Sequence, residues 1–87
     1  MYYTYVIYSL LRKYIYVGIT NDIGRRFSEH QKGSNKTTKP YRPFGILLVE
    51  KYSGRIEARE REKYLKSGVG KEFLKKLLVE KQAFNND

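Results

Sequence analysis

Two tyrosine-rich, β-prone runs at the start of the chain, Tyr2–Ser9 and Tyr14–Ile19, constrain its fold more than any other feature. Val, Ile, Thr and Tyr fit a pleated, half-buried surface. The short link Leu10–Lys13 is too brief for a crossover, so the two runs form an antiparallel hairpin. On the first run Tyr3, Tyr5, Ile7 and Ser9 share one face, and Tyr2, Thr4, Val6 and Tyr8 share the other. Gly18, near the end of the second run, marks a close backbone approach or a bend.

A helix follows, capped by Thr20, Asn21 or Asp22 and closed by Gly33. Within it Ile23, Arg26, Phe27 and His30 have the spacing of one face. An arginine and a histidine therefore join or border the stripe that Ile23 and Phe27 bury, while Arg25, Glu29 and Lys32 belong to other sides. Residues 33–43 hold both prolines of the chain and read as a loop. Lys36, Lys39 and Arg42, with no acidic residue among them, make that loop either a phosphate-contacting arm or a solvated connection. Phe44–Tyr52 is a third strand, and its apolar run Ile46–Val49 predicts a central position or cover on both faces.

A second helix spans about Ile56–Lys66, with Ala58, Glu62 and Leu65 on its inner side and Glu57 and Glu60 placed to pair with Arg61 and Lys63. Ser67–Gly70 breaks it, and a third helix over Lys71–Lys81 carries Phe73, Leu74, Leu77 and Leu78 as its apolar face. The order β-β-α-β-α-α implies a small α/β layer of α+β type, with helices packed on a three-stranded antiparallel or mixed sheet. One domain is expected over residues 1–82, with a frayed tail over 83–87.

Eighty-seven residues make one small domain, expected to bury ~60–65% of its unfolded surface. With no cysteine and a single histidine, disulfides, thiolate sites and poly-histidine zinc sites are excluded. No apolar run is long enough to span a bilayer and no signal peptide is visible. The expectation is a soluble, cytoplasmic protein with no membrane partner. Eighteen Lys and Arg against nine Asp and Glu give a net charge of +9, which points to a polyanion, nucleic acid before an anionic membrane.

Taken singly, the polar residues on apolar stripes have bland readings. Glu62 is a buried partner for a cation, His30 a structural histidine, Arg26 a snorkelling side chain, and Tyr5 and Tyr16 packing residues with one hydroxyl bond each. Together, in a basic chain, they form a set suited to phosphodiester hydrolysis. A guanidinium such as Arg26 matches phosphate oxygens. A carboxylate such as Glu62 holds one Mg²⁺ or Mn²⁺, the rest of the shell being water and phosphate. A tyrosine or histidine takes or relays the proton of the attacking water. One obvious carboxylate argues against a two-metal site.

These residues stand in an order that resembles the GIY-YIG nuclease superfamily, in particular small stand-alone proteins similar to the N-terminal nuclease domain of the excision repair protein UvrC. The first motif is Tyr3-Thr4-Tyr5, the second Tyr16-Val17-Gly18, followed by Ile19-Thr20-Asn21-Asp22 and the Arg25-Arg26 pair. The family arginine falls on Arg26, the helix His or Tyr on His30, and the metal-binding glutamate on Glu62 within Glu57–Lys66. The likeness covers about residues 2–80. Tyr3-Thr4 replaces Gly-Ile, Ile19 stands where the excision-repair branch has lysine, and the distal asparagine of some members has no counterpart.

The resemblance implies cleavage of one DNA strand at a time with a single divalent ion at Glu62. Tyr5 is the expected base with His30 taking or relaying its proton, Tyr16 orients water or phosphate, and Arg26 stabilises developing charge. Lys36, Lys39, Arg42, Arg25 and Lys66 are the expected nucleic-acid contacts. A non-catalytic nucleic-acid-binding module on the same fold is the alternative. RNA as substrate, a homodimer on the substrate and a repair-protein partner stay open.

Overall fold

β1 (Tyr2–Ser9) pairs with both other strands, β2 (Ile15–Thr20) on one side and β3 (Phe44–Tyr52) on the other. The sheet therefore runs β2-β1-β3 and is antiparallel throughout. The helices are α1 (Ile23–Lys32), α2 (Arg55–Lys66) and α3 (Gly68–Asn85), with a short 3-10 turn at Lys39–Tyr41 ahead of β3. The computed structural model describes residues 1–85, with side chains as far as Ala83. The expected C-terminal fraying falls in part on residues 86–87, outside the described residues. The α+β class and the β-β-α-β-α-α order are those expected from the sequence.

Because side chains alternate along a strand, β1 feeds two cores. Val6 joins Val17, Leu65 and Leu74 beneath α2 and α3. Tyr5 and Ile7 join Phe44, flanked by Tyr16, Ile23 and Phe27 beneath α1. Ile7, Leu65 and Leu74 are among the largest fully buried side chains, and each contributes about 1.5–3 kcal/mol by leaving water. Thr4 donates its buried hydroxyl to the Ala58 carbonyl at 2.7 Å and ties α2 to the sheet. The Arg61 guanidinium grips Glu50 of β3 at 2.8 and 3.2 Å, a two-pronged bond that fixes the same helix about one turn further along.

Three local expectations change. β3 is an edge strand, not a central one. The register shifts between Val6 and Ile7, skipping Leu47, so Leu47 and Leu48 both pack toward α2 and α3. Ile46 and Val49 are left exposed on the other face. Glu57 and Glu60 do not pair with Arg61 and Lys63: Arg61 turns to the sheet, where Glu50 offers both oxygens, and Glu57 takes the Ser53 hydroxyl at 3.3 Å. The break between the last two helices shrinks to Ser67, whose hydroxyl accepts the Gly70 N–H at 3.2 Å in the manner of an N-cap. α3 thus starts inside the glycine-rich segment, and a side chain on Gly70 would meet the Tyr64 carbonyl of α2.

Candidate active site

α1 is held at both ends, which fixes where its polar stripe points. Asp22 caps its first turn by accepting the Arg25 N–H at 3.0 Å. Gly33 closes it at φ 81°, the left-handed conformation in which glycine is unpenalised. His30, in the last turn, is then fully buried against the sheet. Its Nε2 lies 2.8 Å from the Tyr5 hydroxyl and its Nδ1 2.9 Å from the Thr38 hydroxyl. One turn earlier Arg26 stands near enough for its charge to act on the same phenol, and its guanidinium is anchored by Glu29 at 3.0 Å.

β1 and β2 supply the two tyrosines through their register. Ile7 pairs with Tyr16 and Tyr5 with Gly18, so the tyrosines sit diagonally on one face. Their ring centroids are 6.3 Å apart, and the Tyr16 ring is 5.1 Å from the His30 ring. Gly18 is the close approach that the sequence suggested: a Cβ there would stand 2.8 Å from the Tyr5 phenolic oxygen. The missing side chain is the space the phenol occupies.

Burial sets the electrostatics. It pushes the Tyr5 phenol up to about 12; the Arg26 guanidinium pulls the other way, while Tyr16 and the Glu62 carboxylate add to the rise. Burial also holds His30 below its ordinary value, with Arg26 adding to the fall and Glu29 opposing it. Both groups are neutral at rest near pH 7. For His30 the unfolded chain binds a proton more readily than the folded one, so its contribution to stability is complete above about pH 6.5 and fades as pH falls through that value. The unfolding midpoint of the wild type is expected to drop between pH 7 and pH 5, and a His30→Gln variant to show less of that drop. Equal slopes for the two proteins would mean that His30 is not held neutral by the fold.

Glu62 approaches from the α2 layer, with its side chain only 12% exposed, and contacts Lys66 at 3.1 Å and Arg59 at 3.6 Å. The structure thus gathers Tyr5, Tyr16, Arg26 and His30 into one cluster, with Glu62 close enough for its charge to act on Tyr5. The expected nucleic-acid contacts are more scattered. Lys36 and Lys39 are exposed on the loop after α1. Arg42 donates to the Lys32 carbonyl at 3.1 Å and so helps close α1. Lys66 lies beside Glu62. Arg25 and Arg26 line a polar concavity of about 320 Å³ together with Arg55.

Sequence reasoning missed Arg55 and Thr38. Arg55 reaches this concavity because Tyr52 pairs with Tyr2 at the end of the sheet, a long-range register that no local pattern carries. Thr38 lies in the proline-containing loop, where no periodicity flags an inward side chain. A larger groove of about 760 Å³ runs between β2 and α3, with an apolar floor and a basic rim. It meets the cluster only at Tyr16.

A three-stranded antiparallel sheet carrying this tyrosine pair, with an arginine and a histidine on the first helix and a glutamate on the second, defines a class. The chain belongs to the GIY-YIG family: the family's model, described as the GIY-YIG catalytic domain, matches residues 1–76. It is similar to UPF0213 protein YazA of Bacillus subtilis (strain 168), 35% identical over 68 residues, which cover 77% of this chain and 67% of that protein. It is also similar to UPF0213 protein Reut_B5558 of Cupriavidus pinatubonensis (strain JMP 134 / LMG 1197), 39% identical over 49 residues, covering 55% of this chain and 54% of the relative. No solved structure gives a significant match. The family is one of nucleases, and no helix among the described residues is long and apolar enough to cross a membrane.

Proposed function

We propose that the protein is a divalent-metal-dependent endonuclease that hydrolyses DNA phosphodiester bonds one strand at a time. The observation that carries this reading is the buried phenol–imidazole pair Tyr5–His30, flanked by Tyr16, Arg26 and Glu62 in a chain of net charge +9. A module that only binds nucleic acid needs the charge but has no use for such a pair.

The donor set fits one hard cation. Mg²⁺ commonly takes one or two carboxylates and leaves the rest of its shell to water and substrate phosphate. Glu62 supplies one carboxylate, and among the described residues no three His, Cys, Asp or Glu side chains gather into a cage. Mg²⁺ or Mn²⁺ held by Glu62 would polarise a phosphoryl oxygen and offset the charge that develops there. The other residues act directly on the substrate. Arg26 presents its guanidinium to the phosphate, and Tyr16 orients the phosphate or the attacking water. Tyr5 takes the proton of that water while passing its own to His30 Nε2. A phenol held near 12 is not ionised at rest, so the base works through this handover rather than as a standing phenolate.

A cleavage assay on duplex, single-stranded, flap and branched DNAs and on RNA, with Mg²⁺ or Mn²⁺, tests the reading. Metal-dependent cutting supports it and names the substrate class; tight binding with no cutting of any substrate moves the assignment to a binding module. For the basic surface, Lys36, Lys39 and Arg55 are the proposed backbone contacts, joined by Arg25. Replacing Lys36, Lys39 and Arg55 with alanine should flatten the log–log salt dependence of duplex binding by roughly three units, about one per phosphate contact. An unchanged slope would make all three solvated bystanders.

A further inference from the structure

The loop after α1 does something that its basic composition does not suggest: it delivers a buried hydroxyl to the far side of the catalytic imidazole. Asn35 organises the turn, its side-chain oxygen accepting the N–H groups of Thr37 and Thr38 at 2.8 and 3.3 Å and its carbonyl accepting that of Lys39 at 2.9 Å. Gln31 clamps the outgoing strand through both its amide atoms, at 3.1 and 2.8 Å from the Phe44 carbonyl and N–H. Between these fixed points Thr38 is fully buried. Its hydroxyl lies 2.9 Å from His30 Nδ1 and 3.5 Å from the Asn35 carbonyl.

The imidazole has two neutral tautomers, and the donor and acceptor inventory separates them. With the proton on Nε2, the Thr38 hydroxyl would donate to Nδ1, and Nε2–H would donate to the Tyr5 oxygen. The phenol proton would then have no acceptor, because among the described residues the one acceptor within hydrogen-bond distance of the Tyr5 hydroxyl is His30 Nε2, and Arg26 carries donors alone. With the proton on Nδ1, each group is matched. His30 Nδ1–H donates to Thr38, Thr38 O–H turns to the Asn35 carbonyl, and Tyr5 O–H donates to a bare Nε2.

We infer that Thr38 is a positioning residue of this site: by accepting from His30 Nδ1 it keeps the imidazole in the tautomer whose free Nε2 receives the Tyr5 proton. The inference rests on the nuclease reading for its consequence, but not for the tautomer itself. In the hydrolytic step the attacking water loses a proton to the Tyr5 oxygen as the Tyr5 O–H bond breaks and Nε2–H forms. The water oxygen bonds to phosphorus, and the leaving oxygen departs with its electron pair and takes a proton from solvent. The imidazolium, protonated on both nitrogens, then passes its Nε2 proton to the Tyr5 oxygen while the phenol gives up its own proton to solvent. With Nε2 already protonated the relay cannot run.

His30 is the one histidine of the chain, so its ring ¹⁵N signals can be read without ambiguity. At a pH where the ring is neutral, the wild type is expected to show a protonated Nδ1 and a bare Nε2. Thr38→Val, which keeps the volume and removes the acceptor, should move the proton to Nε2, and Thr38→Ser should restore the wild-type pattern. In parallel kcat should fall about 100-fold in Thr38→Val with KM little changed, since general-base help is worth roughly 10²–10⁴-fold, and Thr38→Ser should recover most of it. Nε2–H in the wild type overturns the inference, and so does an unaltered tautomer in Thr38→Val. Should Thr38→Val fail to fold, the wild-type and Thr38→Ser spectra still decide the tautomer. The pH profile must be read with Tyr5, Tyr16, Arg26 and Glu29 in view, because the two tyrosine rings stand against the imidazole and the charges of Arg26 and Glu29 act on it. A protein that cuts no substrate yet shows Nδ1–H overturns the nuclease reading alone.

Discussion

Glu62→Gln is expected to lower metal-dependent cleavage by about 10³-fold or more while leaving DNA affinity unchanged or slightly higher. The size follows from what a bound divalent ion supplies, several kcal/mol of charge stabilisation at the phosphoryl centre, at 1.36 kcal/mol per tenfold in rate. The direction of the affinity change follows from charge. Removing one carboxylate from a chain of net charge +9 takes away repulsion toward phosphate and frees Lys66 and Arg59, which now hold that carboxylate at 3.1 and 3.6 Å. The fold should tolerate the change, because both cations are more than half exposed and ion pairs of that kind contribute about 0–1 kcal/mol. Single-turnover cleavage and a filter-binding isotherm, run on one substrate, check it. Affinity and rate falling in proportion would sink the assignment of Glu62 to the metal, since a residue that only binds DNA loses both together. The same ion pairs compete with a cation for the carboxylate, so metal affinity should rise once a phosphate completes the shell.

How much of this was legible beforehand depends on what sets each feature. Arg26, His30 and Glu62 were visible because a helix face repeats and each breaks an apolar stripe that can be read without knowing the fold. Tyr5 and Tyr16 fit their strands like the other tyrosines and were singled out only by the resemblance to the nuclease family. The position of β3 was not legible. Its run Ile46–Val49 is apolar for two different reasons. A bulge turns Leu47 and Leu48 toward one helical layer, and the strand edge leaves Ile46 and Val49 open. Periodicity sees neither cause. The partners of Arg61 were misjudged because helical spacing offers Glu57 and proximity in sequence offers Glu60, whereas the sheet offers Glu50 with both oxygens at once. Thr38 and Arg55 were invisible, since a loop turn places one and strand pairing places the other.

Gly18→Ala should be nearly as damaging to activity as losing the Tyr5 hydroxyl itself, though the change is a single methyl group on a residue that contacts no substrate. The new Cβ would lie 2.8 Å from the phenolic oxygen and 2.9 Å from the ring carbon that bears it, closer than real Cβ contacts come. A tyrosine at the surface would swing aside at little cost. Tyr5 is 2% exposed, packed with Ile7 and Phe44 and bonded to His30, so it can yield only by breaking that bond or spreading the strands. Overpacking of this kind costs about 1–3 kcal/mol of stability, and a misplacement of about 1 Å at the reacting groups costs on the order of 10²-fold in rate. Loss of the Tyr5 hydroxyl provides the discriminating comparison. Tyr5→Phe removes the proton relay but keeps the ring, so the double variant should be destabilised further by Gly18→Ala, yet cleave no more slowly than Tyr5→Phe alone. Rate losses that simply multiply would mean that Gly18 acts on catalysis independently of the phenol, and the contact would then be an accident of packing.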